Sequence, residues 1–150
     1  MNLYLIIFTA GTYRAEQVYD KHKDLFVELE KHFTLHLVNY TEADSIPSNE
    51  YKMVFIASGG VENAVVRFFS ILPYPITLLT DGLNNSLAAA LEISAWIQSR
   101  DMKVRIIHGL APDMANQVLL HHQAFAAKRA LKKKRIGVIG TPASWLVASH

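Results

Sequence analysis

The run LYLIIFT, Leu3 to Thr9, decides how the rest of the sequence is read. A secretion signal would carry a positively charged segment before it and a longer apolar stretch, and neither is present. Its mixture of β-branched and aromatic residues instead predicts a buried first strand. Past Gly11 the pattern changes. From about Ala15 to His32, Val18, Leu25, Leu29 and Phe33 recur at helical spacing, while Lys21, Asp24, Glu28 and Lys31 face water. A strand followed by an amphipathic helix is the first half of a β–α–β unit.

The same alternation continues. Strands are expected at Thr34–Tyr40, Lys52–Ala57, Ile76–Thr80, Val104–His108 and Arg135–Ile139, each a nearly continuous apolar run suited to a parallel sheet covered on both faces. Helices are expected at Val61–Leu72, Ser86–Arg100 and Pro112–Lys134. The stretch TEADSIPSNEY, with Pro47 inside it, has little helical pattern and reads as a turn-like crossover. The expected fold is α/β: an open, mainly parallel sheet of five or six strands with helices on both faces. That is a flavodoxin/Rossmann-like three-layer sandwich with strand order 2-1-3-4-5. Residues 1–134 form this domain. Residues 135–150 read as a sixth strand and the start of a linker or second domain, as though the chain were the front piece of something longer.

Composition bounds the function. The 150 residues suit one domain, and 51% hydrophobic with 19% charged residues describes a globular core-former. A net charge of +2 gives no argument for nucleic acid. The absence of cysteine excludes disulfides, thiolate metal sites and cysteine nucleophiles. No run reaches the roughly 18 apolar residues of a membrane helix. The expectation is a cytoplasmic protein with neither a nucleic-acid nor a membrane partner.

In open α/β sheets ligands bind beyond the carboxyl ends of the strands. The tips there are Thr9-Ala10-Gly11-Thr12, Ser58-Gly59-Gly60-Val61-Glu62-Asn63, Asp81-Gly82-Leu83-Asn84-Asn85-Ser86, His108-Gly109 and Gly140-Thr141-Pro142. In the second, two glycines permit close approach of a ligand or a neighbouring backbone, and Ser58 can hold a hydroxyl or anion. Glu62 also suits the start of a helix, where its charge complements the dipole. In the third, Ser86 or Asn85 is an N-cap for the next helix, whose Ala88-Ala89-Ala90 and Ala95 form a narrow face. Capping leaves Asp81 and two amides unexplained, and these suit a polyhydroxylated ligand. Known nucleotide and hydrolase signatures (GxGxxG, GxxxxGK[ST], GxSxG) are absent, and TAGTY matches a flavodoxin phosphate loop poorly.

His22, His32, His36, His121 and His122 are scattered or helical, with no HExxH, and read as structural or surface residues. His108 ends a strand on the ligand side. The basic run Lys128, Arg129, Lys132, Lys133, Lys134 and Arg135 has no interleaved aromatics and reads as a solvated helix end.

Three stretches, ASGGVEN (57–63), LLTDGLNNSLAAALEISAW (78–96) and RIGVIGTPASWLVAS (135–149), together resemble the amino-terminal region of proteins related to L-fucose and L-arabinose isomerases. The resemblance implies an aldose–ketose isomerase family that uses a divalent metal, usually manganese, with its ligands in later domains. It implies that a first domain packs in a homo-oligomer and helps to close a sugar site. Ser58, Gly59, Gly60, Glu62, Asp81, Asn84, Asn85 and Ser86 are the substrate-binding candidates. No catalytic residue, metal ligand or cofactor is expected within these 150 residues, and the later domains of the same polypeptide would be partners. GTPASW would belong to the hinge into the second domain, with Trp145 either stacking on a sugar face or, as a buried aromatic usually does, plugging the domain interface. Two alternatives stay open. One is a free-standing flavodoxin-like module for a small anion or nucleotide, and the other is a structural or oligomerisation domain without a ligand.

Overall fold

The structure, a computed structural model, describes residues 1–135 and Gly140. Five strands form one parallel sheet: β1 (Asn2–Phe8), β2 (Thr34–Asn39), β3 (Lys52–Ile56), β4 (Ile76–Leu79) and β5 (Val104–Ile107), in the order β2-β1-β3-β4-β5. Order and direction follow the sequence expectation. β1 pairs Asn2 with Thr34 on one side and Tyr4 with Lys52 on the other.

Burial follows the two-residue period of a strand. Leu3, Leu5 and Ile7 of β1, with Met53 and Phe55 of β3, point into one apolar layer, while Ile6, Phe8, Val54 and Ile56 point into the other. The first layer is closed by α1 (Ala15–Lys21), α2 (Lys23–Glu30) and α5 (Ala111–Lys132), through Val18, Leu25, Phe26, Leu29, Met114 and Val118. The second is closed by α3 (Glu62–Arg67) and α4 (Ser86–Gln98), through Val65, Ala89, Ala90, Ile93 and Ile97. Among the described residues no helix is long and apolar enough to cross a membrane.

Four local expectations are corrected. The single helix from Ala15 to His32 is two, broken at His22, whose φ and ψ are −111° and 23°. The break costs little in hydrogen bonds: the His22 amide still donates to Val18 and Tyr19, and its carbonyl accepts from Leu25 and Phe26. The helix expected to reach Leu72 ends at Arg67 and continues as a 3-10 turn, Phe69–Ile71. The crossover after β2 is a 3-10 helix, Tyr40–Ser45, opened by the Asn39 side chain accepting from the Thr41 amide at 3.1 Å. In α4 only Ala89 and Ala90 of the expected alanine face are buried, because Ala88 and Ala95 lie a third of a turn away and are exposed. The expected sixth strand beyond Arg135, and Trp145, lie outside the described residues.

The far end of the sheet holds a polar knot under α5. Burial keeps the proton on Tyr51, raising it above the ordinary phenol range. That hydroxyl stands 2.8 Å from Nδ1 of His121, whose Nε2 is 3.3 Å from Thr77 Oγ1. Burial first, and then the Arg105 charge, lower His121 below its ordinary value of 6.5. Burial and the chain amino terminus do the same to the neighbouring His122. An unfolded chain therefore binds protons that the folded one refuses. The stabilisation is full above about pH 6.5 and is lost as pH falls through the depressed folded-state values. The melting temperature is expected to drop on going from about pH 7 to about pH 5, and His121→Gln to flatten that drop. A slope unchanged in the variant would contradict this.

Candidate functional site

The carboxyl tips of β1, β3 and β4 are tied to one another. The Ala10 amide, past β1, donates to Ser58 Oγ, past β3, at 2.8 Å. The Gly59 amide donates to the Asn84 carbonyl, past β4, at 2.8 Å. A Cβ on Gly59 would stand 3.2 Å from Asn85 Cβ and 3.3 Å from the Asn85 carbonyl oxygen, so the two tips meet closely because residue 59 has no side chain. Gly59→Ala is expected to cost about 1 kcal/mol of stability by forcing them apart. Denaturant unfolding checks this, and an unchanged midpoint would mean that the tips can separate freely.

The β4 tip uses most of its polar groups internally. Ser86 is fully buried and accepts a hydrogen bond from Thr80 Oγ1 at 2.6 Å. Thr80 Oγ1 also accepts from the Gly82 amide at 3.2 Å. Neither Ser86 nor Asn85 caps α4 through its side chain, contrary to the sequence expectation. Asn84 and Asn85 both adopt positive φ, 51° and 60°, a conformation asparagine tolerates better than most residues. Gly82 (φ 86°) leaves the space into which a Cβ would strike the His108 ring at 2.8 Å. His108 Nδ1 is itself 2.9 Å from the Thr80 carbonyl. Much of the tip's asparagine and serine content thus has a backbone or packing use.

Asp81 is held on both oxygens. Oδ1 accepts from the Leu83 amide at 3.1 Å, and Oδ2 lies 2.5 Å from Nδ1 of His22. His22 is 2% exposed; its ring stands edge-on to Phe55 at 4.9 Å and tilted to Phe26 at 6.0 Å. At the break between α1 and α2 this imidazole points inward and meets Asp81.

Between the tips and α1 lies an open cleft of about 250 Å³. It is lined by Thr9, Ala57, Ser58 and Asn84 from the strand tips and by Gln17, Val18 and His22 from α1 and the break after it. Arg14 and Lys21 stand on the rim and, among the described residues, join no ion pair. Of the eight candidates read from sequence, Ser58 and Asn84 line this cleft. Gly59 and Asn85 form the contact beside it. Gly60 and Glu62 form the adjoining turn, the Gly60 amide donating to Glu62 Oε1 at 3.3 Å. Asp81 stands behind His22, and Ser86 is sealed in the core. The sequence reading missed Arg14, Gln17, Lys21 and His22. One signal was available: His22 follows Val18 by four positions and precedes Leu25 by three, so it lies on the buried stripe.

Among the described residues no three His, Cys, Asp or Glu side chains gather to hold a metal ion. The manganese implied by the resemblance has no donor set among them, and no chemistry is derived through it. Comparison with family models, with curated proteins and with solved structures returns no match.

Proposed function

We propose that this chain is the amino-terminal domain of a fucose/arabinose isomerase-like protein and that it supplies one wall of a carbohydrate site. Later domains of the same polypeptide, or neighbouring subunits of a homo-oligomer, would complete the site and carry the isomerase chemistry with its divalent metal. The domain itself holds and orients. The observation that carries this reading is the hydrogen bond from the Gly59 amide to the Asn84 carbonyl. It joins two of the three stretches of resemblance, 57–63 and 78–96, into one polar surface at the strand tips. The cleft beside it offers hydroxyl, amide and imidazole groups, the donor and acceptor mixture that sugar hydroxyls need.

Arg14 and Lys21 favour a second reading, a module for a small anion or nucleotide, because two rim cations without carboxylate partners among the described residues attract negative charge. A thermal-shift and calorimetric screen of L-fucose, L-arabinose, inorganic phosphate and FMN separates the two. Stabilisation by the sugars, lost in Asn84→Ala, supports the carbohydrate site. A shift with phosphate or FMN alone, lost in a variant carrying Arg14→Ala and Lys21→Ala, replaces it with the anion site.

A further inference from the structure

We infer that His22 presents Nε2 to the cleft as a fixed hydrogen-bond acceptor for a ligand hydroxyl, with Asp81 as the residue that fixes it; this rests on the carbohydrate reading. Asp81 Oδ2 is a carboxylate oxygen, which can only accept, so the proton of a neutral His22 ring sits on Nδ1 and the Nε2 lone pair is free. Nε2 has no hydrogen-bond partner among the described residues, yet no side-chain nitrogen or oxygen there is both sealed and unpaired. The little exposure the ring keeps therefore includes Nε2. In a five-membered ring the Nε2–Cδ2 edge lies opposite Nδ1. Asp81 borders a separate hollow toward Gly109 and takes no part in the cleft, whereas His22 borders both. The edge turned away from Asp81 is the one left for the cleft, where Thr9, Ser58 and Asn84 stand.

The device is rigid. Phe55 and Phe26 flank the ring, the helix break fixes its backbone, and the Leu83 amide holds Asp81 Oδ1. That last bond makes Asp81→Asn informative. The amide oxygen of the variant would stay on Leu83, leaving its NH2 group facing Nδ1. A donor there drives the imidazole proton to Nε2 and converts the acceptor into a donor.

The test is long-range 1H–15N correlation spectroscopy of the full chain, labelled in histidine, at a pH where the ring is neutral. Titrations use L-fucose, L-arabinose and inorganic phosphate. The expected free protein has His22 protonated on Nδ1, and either sugar moves the Nε2 resonance while Nδ1 stays in place. In Asp81→Asn the tautomer reverses and sugar affinity falls tenfold or more, with the remaining amide spectrum retained. Should that variant fail to fold, the tautomer and the Nε2 response of the wild type decide alone. A proton on Nε2 in the wild type overturns the inference, as does a phosphate-only response that protonates Nε2. Sugar binding that leaves His22 unmoved, with affinity intact in His22→Phe, overturns the inference and leaves the carbohydrate site standing. Failure of the wild type to bind either sugar overturns both.

Discussion

Phe55→Ala is expected to lower the unfolding free energy by about 3–5 kcal/mol, the cost of deleting a buried aromatic ring. Phe55 is fully buried on the middle of the sheet, paired in register with Ile7 of β1 and Leu79 of β4. Its ring touches Phe26 at 5.2 Å and His22 at 4.9 Å. Neither neighbour can fill the hole easily, since α2 is fixed to α5 across the same layer by Leu25, Leu29 and Met114. A loss of this size is a third or more of the stability of an ordinary domain and lowers the melting temperature by roughly 10 °C. Urea unfolding measures it directly. A loss below about 1 kcal/mol would mean that the layer relaxes around the cavity, against the tight packing described above. The variant also loosens the edge contact that fixes His22, so ligand affinity should fall along with stability.

The fold was legible because its information is carried by runs of residues rather than by single ones. β1, β3 and β4 are apolar on both faces, which only a central parallel strand can use, and the polar crossover after β2 left a single short return. The order 2-1-3-4-5 was the flavodoxin-like expectation for such a chain, and the sheet has it. The site was less legible for two physical reasons. Side chains at the tips were judged by polarity alone, whereas Ser86 and Thr80 spend theirs on each other inside the core and Asn84 and Asn85 serve backbone geometry. The residues that shape the cleft also come from a helix whose break at His22 has no local marker: no Gly and no Pro stands there. The residue at the break meets a partner 59 positions away, Asp81, and a contact of that range leaves no trace in local periodicity. Ser58 and Asn84 were found because they obey the strand-tip rule; Arg14, Gln17 and Lys21 obey no such rule.

Asp81→Ala is expected to cost about 1.5–3 kcal/mol, the range for removing a hydrogen-bond partner that carries charge. Two donors are stranded at once, Nδ1 of His22 and the amide of Leu83, but they differ in their access to water. The His22 side chain is 1% exposed, so its Nδ1 is poorly hydrated once Asp81 is gone, whereas the Leu83 turn is exposed and its amide can be hydrated. Most of the cost should therefore pass through His22. A double-mutant cycle isolates it: in a His22→Phe background the apolar ring sits against Phe26 and Phe55 and needs no carboxylate, so Asp81→Ala should cost at least about 1 kcal/mol less there. Denaturant unfolding of the four proteins gives the coupling. A coupling below about 0.5 kcal/mol would mean that the two sites act independently and that Asp81 is kept for its turn. A large coupling assigns the broken helix, the inward imidazole and the β4 tip to one cooperative unit. In that case the cleft wall cannot loosen without part of the core loosening with it, and ligand binding and stability should rise and fall together across variants of this cluster.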